Sequence, residues 1–299
     1  MAGWRIRCGL AAALCLAGAA FARAPHEQSD ISALALSAGL PEGTALKTYQ
    51  LTEPAPAILS KTATAAPEHL AQERNASAHF SGRVFFAKGK ETDARVSDAA
   101  ITSSGDAPPE GWLRTENKLT HRDSGLECPQ IIDLNDKTSA SPRRLELKGV
   151  TQYDQRGRDV SCNYAIGGDV SVTLFASFYP DVSIEQHAAG AVAAMRQNYA
   201  LKGVLPVTSV EISRKDENGD SIRLDGALAG AFDIGEMNGV PYKTAIWLAK
   251  THGWHLKARA TYAQADSVAE VVAAVLFGAN YSNIDMKNRA NPTAAGAEV

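Results

Sequence analysis

Two runs of strict alternation constrain this chain more than anything else in it. From Asp159 to Ile166, Val160, Cys162, Tyr164 and Ile166 fall on one side, and Val170, Val172, Leu174, Ala176 and Phe178 repeat the pattern in the next run. A period of two belongs to a strand with one buried face. Gly167-Gly168 between the runs suits a two-residue hairpin turn. The same reading gives a strand around Leu145 to Tyr153, joined to the Val160 run across Gln155-Arg156-Gly157. It gives another through Ile222, Leu224, Gly226, Leu228, Gly230 and Phe232, after a turn at Asn218-Gly219. Thr244 to Lys250 and Trp254 to Tyr262 then pair across Thr251-His252-Gly253. These are about six antiparallel strands.

Two helices interrupt them. Ser183-Ile184-Glu185-Gln186 reads as a capping box opening a helix to about Tyr199, with Ile184, Ala188, Ala191, Val192, Met195 and Tyr199 as its apolar stripe. Ser267-Val268-Ala269-Glu270 reads as a second box, followed by Val271, Val272, Val275 and Leu276. Strands punctuated by helices predict an α+β fold, an antiparallel sheet with both helices packed on one face. This unit is expected over 121–283. Residues 23–120 are poorer in large apolar side chains and hold linker-like stretches at Pro54-Ala55-Pro56 and Ser103 to Gly111. They read as a partly disordered segment of low complexity, with a candidate edge strand near 84–86. Residues 284–299 read as a flexible tail.

The first 22 residues read as a signal peptide. Arg5 and Arg7 form a basic n-region, Gly9 to Ala19 a short apolar run, and Ala20-Phe21-Ala22 a cleavage site. A cut after Ala24 would put Pro25 at the +1 position, so Ala22 is preferred. Leu14 before Cys15 argues against a lipidation box. The apolar run is shorter than the ~20 residues of a membrane span. Cleavage therefore leaves no transmembrane segment, and the Ala-rich bacterial form of the leader predicts a periplasmic or secreted protein. Loss of Arg5 and Arg7 leaves 28 basic against 33 acidic residues, a balance that argues against a dedicated nucleic-acid binder.

Of the four cysteines, Cys8 and Cys15 leave with the leader. Cys128 and Cys162 then form an isolated pair that reads first as a disulfide in an oxidising compartment, with two buried thiols as the alternative. Their spacing is not C-x-x-C, so redox chemistry is not expected.

The hairpin leading into Val170–Tyr179, the helix at Ser183, the Gly253-Trp254 strand entry and the helix at Ser267 together resemble the sandwich of photosystem accessory proteins of the PsbP type and their exported bacterial relatives. The resemblance spans about Gly125 to Asn283. It implies a non-enzymatic accessory or binding role and assigns no functional residue.

Side chains that could carry chemistry are few. His252 and His255 are spaced as H-x-x-H, but residues three apart on a strand face opposite ways. They are expected as solvated histidines beside a turn, with no metal or cofactor. Asp216 to Asp220 is acidic, but Ser221 and Ala227 stand where a calcium loop needs Gly and Glu. No nucleophile motif is present, and Ser124 beside His121 and Asp123 does not by adjacency make a triad. His255, Lys257 and Arg259 share one face of their strand and form a candidate binding face for an anionic ligand or a partner's carboxylates. The bland reading of that face is a wet side of the sheet. The expected function is an exported accessory or binding protein with no catalytic residue, its ligand or partner unidentified. The alternatives are a hydrolase-like enzyme with a site dispersed over residues such as His121, Asp123 and His255, or a cell-envelope assembly or stress factor.

Overall fold

The computed structural model describes residues 44–52, 101–103, 108–134, 143–215 and 221–290. The leader, the candidate strand near 84–86 and the acidic turn 216–220 lie outside the described residues. In chain order the strands are β1 (Thr44–Leu51), β2 (Ile101–Ser103), β3 (Trp112–Arg114), β4 (Lys118–His121), β5 (Glu127–Pro129), β6 (Ile131–Leu134), β7 (Arg143–Gln152), β8 (Asp159–Ile166) and β9 (Val170–Phe178). Helix α1 (Ile184–Asn198) follows, then β10 (Gly203–Leu205), β11 (Val207–Lys215), β12 (Ser221–Leu224), β13 (Leu228–Met237), β14 (Val240–Thr251) and β15 (Trp254–Ala263). Helix α2 (Ser267–Ala290) comes last.

The fold is α+β and its sheets are antiparallel. The main sheet has nine strands rather than six, in the order β10-β13-β14-β15-β9-β8-β7-β2, with β6 also paired to β7. Two smaller sheets, β1-β11-β12 and β3-β4-β5, complete it. The Gly167-Gly168 hairpin is present, Gly167 at φ 57°, and Cys162 lies opposite Leu174 across it. The run expected from Ile222 to Phe232 is two strands, because the chain turns at Gly226, φ 86°, and passes from the small sheet to the main one.

The helices lie on opposite faces of the main sheet, not on one. Along β14, Ala245, Trp247 and Ala249 join the core around α2, while Ile246 and Leu248 pack with Ala188, Val192 and Met195 of α1. Alternation on a single strand makes those two different faces. Helix α2 is buried between the main sheet and β1-β11-β12. Phe277, Ala279 and Ile284 have no exposed surface, and a Cβ on Gly278 would stand 3.0 Å from Leu46 and 3.2 Å from Val210. A helix apolar on nearly every side is built for such a layer.

Ordered elements reach beyond the expected bounds at both ends, and one of the two caps differs. β1 pairs along its whole length with β11, so the segment before residue 121 supplies ordered strands. Helix α2 runs on to Ala290 with Ile284, Asp285 and Asn288 buried, so the globular unit does not stop at Asn283. The first capping box forms as expected, the Ser183 hydroxyl accepting from Gln186 N–H at 3.2 Å and the Gln186 side chain accepting from Ser183 N–H at 2.9 Å. The second does not. Asp266 accepts from Ala269 N–H at 3.0 Å, while Glu270 turns inward to Thr208 N–H and the Lys243 ammonium.

Candidate functional site

Alternation along β15 sends Trp254, Leu256, Ala258, Ala260 and Tyr262 into the α2 core. His255, Lys257 and Arg259 therefore face α1, each opposite a β9 residue: Ser177, Phe175 and Thr173. This face is not wet. His255 is 0 % and Lys257 4 % exposed, because α1 lies over that side of the sheet. The three residues also separate. Lys257 and Arg259 line a shallow surface crevice with Phe175, Ile246, Ala191 and Ala194. The two alanines leave room that larger helix residues would fill. The Lys257 ammonium sits 4.0 Å from the centre of the Phe175 ring, an arrangement favoured by the negative ring face. Arg259 is half-buried at the same crevice.

The β-rungs beyond Lys257 and Arg259 are polar and aromatic. The Thr173 hydroxyl donates to Asn163 Oδ1 at 3.3 Å, and Asn163 Nδ2 donates to the Thr151 hydroxyl at 3.2 Å. Tyr153 stacks on Phe175 with ring centres 6.2 Å apart, its hydroxyl 2.9 Å from that of Ser161. The crevice is thus lined by two cationic side chains, with hydrogen-bonded side chains on the neighbouring strands.

His255 belongs to another cluster. Its Nε2 lies 3.1 Å from the carbonyl oxygens of both Tyr179 and Val182, so that nitrogen carries the proton and donates. The ring of His187 from α1 is 4.8 Å away, centre to centre, tilted by 38°. Burial first, then the neighbouring His187 and Lys250, push the His255 pKa down to about 4. His252 goes the other way. It occupies the β14–β15 turn at φ 48° with Nε2 3.5 Å from Asp285. The H-x-x-H pair is thus divided between two faces, and one of the two is buried rather than solvated.

The dispersed hydrolytic set is not brought together. His121 faces the α2 side, its ring 6.2 Å from Trp254, whereas His255 faces α1. Asp123 is exposed. The Ser124 hydroxyl lies 3.0 Å from His121 Nδ1 and accepts from Leu126 N–H at 3.0 Å, while Ser124 N–H also points at Nδ1. The hydroxyl is 0 % exposed and closes a local turn. Burial depresses the His121 pKa to about 4, against Asp123 and aided by Lys287.

Cys128 of β5 and Cys162 of β8 stand at disulfide separation, Cα atoms 6.1 Å apart, within the ~7 Å limit of a bridge. Among the described residues no helix is long and apolar enough to cross a membrane, and no group of three His, Cys, Asp or Glu is placed to share a metal. His187, Tyr153 and Phe175 were not singled out in the sequence. Only the helical stripe beside His187 and the alternation through Phe175 pointed their way.

Comparison with protein-family models, curated proteins and solved structures finds no match.

Proposed function

We propose that the chain is an exported accessory or binding protein without chemistry of its own, and that its ligand presents a carboxylate or phosphate to Lys257 and Arg259. The observation that carries this reading is the crevice under α1. Two cationic side chains line it, and no acidic residue does. Export is supported by Arg5, Arg7 and the Ala20–Ala22 site, and by a cysteine pair at bridging distance. The non-catalytic half is supported by the burial of Ser124, His121 and His255 in structural hydrogen bonds. It agrees with the resemblance to the PsbP-type sandwich.

Calorimetric titration with inorganic phosphate and short dicarboxylates tests the site. Binding to the wild type, weakened at least ~10-fold in Arg259→Ala and Lys257→Met, is the expected result, since each lost charge-assisted hydrogen bond is worth about 1.5–3 kcal/mol. Equal affinity in both variants, or no binding of any anion, defeats the proposal. Export is tested separately: the mature protein from its native host should begin at Arg23.

A further inference from the structure

We propose that Arg214, Arg289 and His252 form an oxyanion site around Asp285, on the α2 side of the main sheet, and that it takes the carboxylate or phosphate group of a small solute. The site shares no residue with the crevice and stands whether or not the crevice binds an anion.

Three elements bring the cluster together. Asp285 comes from the last part of α2, Arg214 from the far end of β11, and Thr251 and His252 from the end of β14 and the turn that follows. The Asp285 carboxylate is buried and already engaged at both oxygens. Its Oδ1 accepts from the Thr251 hydroxyl at 2.7 Å and lies 3.5 Å from His252 Nε2. Its Oδ2 accepts from Arg289 Nε at 2.8 Å and lies 3.5 Å from Arg214 Nη2. Each oxygen thus faces two partners, and a carboxylate has about four acceptor sites in all.

Arg214 is left short of acceptors. Its side chain is only 11 % exposed, and its Nε is buried without a hydrogen-bond partner. The pair with Asp285 is longer than a good N–H···O bond. A guanidinium carries five N–H donors, and a charge taken out of water is costly unless it is paired and hydrogen-bonded. The carboxylates of the small sheet are directed elsewhere. Glu211 of β11 and Asp225 after β12 both pair with Arg223, at 3.7 and 2.8 Å. The cluster therefore sets two guanidiniums and an imidazole against one carboxylate. A further oxyanion corrects this, because the planar guanidinium fork matches a carboxylate or phosphate. The approach is open: Arg289 and His252 are exposed, and Arg214 stands behind them. The turn itself brings His252 to the rim, through a left-handed backbone at φ 48°.

NMR of the full chain reads the site residue by residue, in titrations with inorganic phosphate and with acetate at constant ionic strength. Amides of 251–253 and 285–289 should shift saturably. A response to phosphate alone assigns a phosphate group to the ligand, and a response to both anions assigns either group. Arg289→Gln, at an exposed position, and Arg214→Met should each weaken the response at least ~10-fold. Arg259→Ala at the crevice should leave it unchanged. No shift at these amides with either anion, equal affinity in the folded Arg289→Gln and Arg214→Met variants, or loss of the response in Arg259→Ala overturns the site.

Discussion

Glu270 shows what one side chain can be asked to do in this molecule. It is 3 % exposed, yet it accepts from Thr208 N–H of β11 and pairs with Lys243 of β14. It thereby ties the first turn of α2 to both sheets that enclose it. Burial and this carboxylate raise the Tyr262 hydroxyl pKa and keep it protonated. Replacing Glu270 with alanine strands a buried ammonium and a backbone donor, and should cost about 3–5 kcal/mol, measured by urea denaturation. His121 gives the second prediction at this scale. Its pKa is lowered in the fold to about 4, so unfolded chains take up its proton first. Its contribution is complete above pH 6.5 and disappears as pH falls toward 4, on the order of 3 kcal/mol for a shift of this size. Denaturation at pH 7.5, 5.5 and 4.5, together with an NMR titration of the ring, checks both the sign and the window.

The elements separate signals that act within the chain from those that need a distant partner. At the head of α2, Asp266 rather than Ser267 supplies the cap. Asp266→Ala should therefore cost about 1 kcal/mol or more and Ser267→Ala close to nothing, a contrast that thermal unfolding of the two variants resolves. The serine was the obvious choice on sequence, because Ser-x-x-Glu is a local pattern and Glu270's partners, Thr208 and Lys243, lie on other strands. β8 and β9 were legible for the converse reason: one face is buried, so polarity alternates. β11 was not, since Val207, Thr208, Ser209 and Val210 are all buried and the alternation vanishes. β1 was hidden because its partner among the described strands lies more than 150 residues along the chain. Lys257 and Arg259 could be placed on one face from alternation alone. That α1 covers that face, and that His187 meets His255 beneath it, depends on tertiary packing that no local window contains.

At the scale of the whole molecule, the Cys128–Cys162 pair links the small β3-β4-β5 sheet to the main one. Formation of this bridge is expected under oxidising conditions, and mass spectrometry should find the two residues joined. With a sequence separation of 34 between the half-cystines, reduction should lower stability by about 3–4 kcal/mol. Helix α2 sets a different constraint, because it follows every described strand and yet fills the space between two sheets. Until residues 267–290 arrive, the inner faces of both sheets have nothing to close upon. A chain made amino-terminus first would remain an open assembly of hairpins until residues 267–290 emerged, and would then close over long sequence distances, which is intrinsically slow.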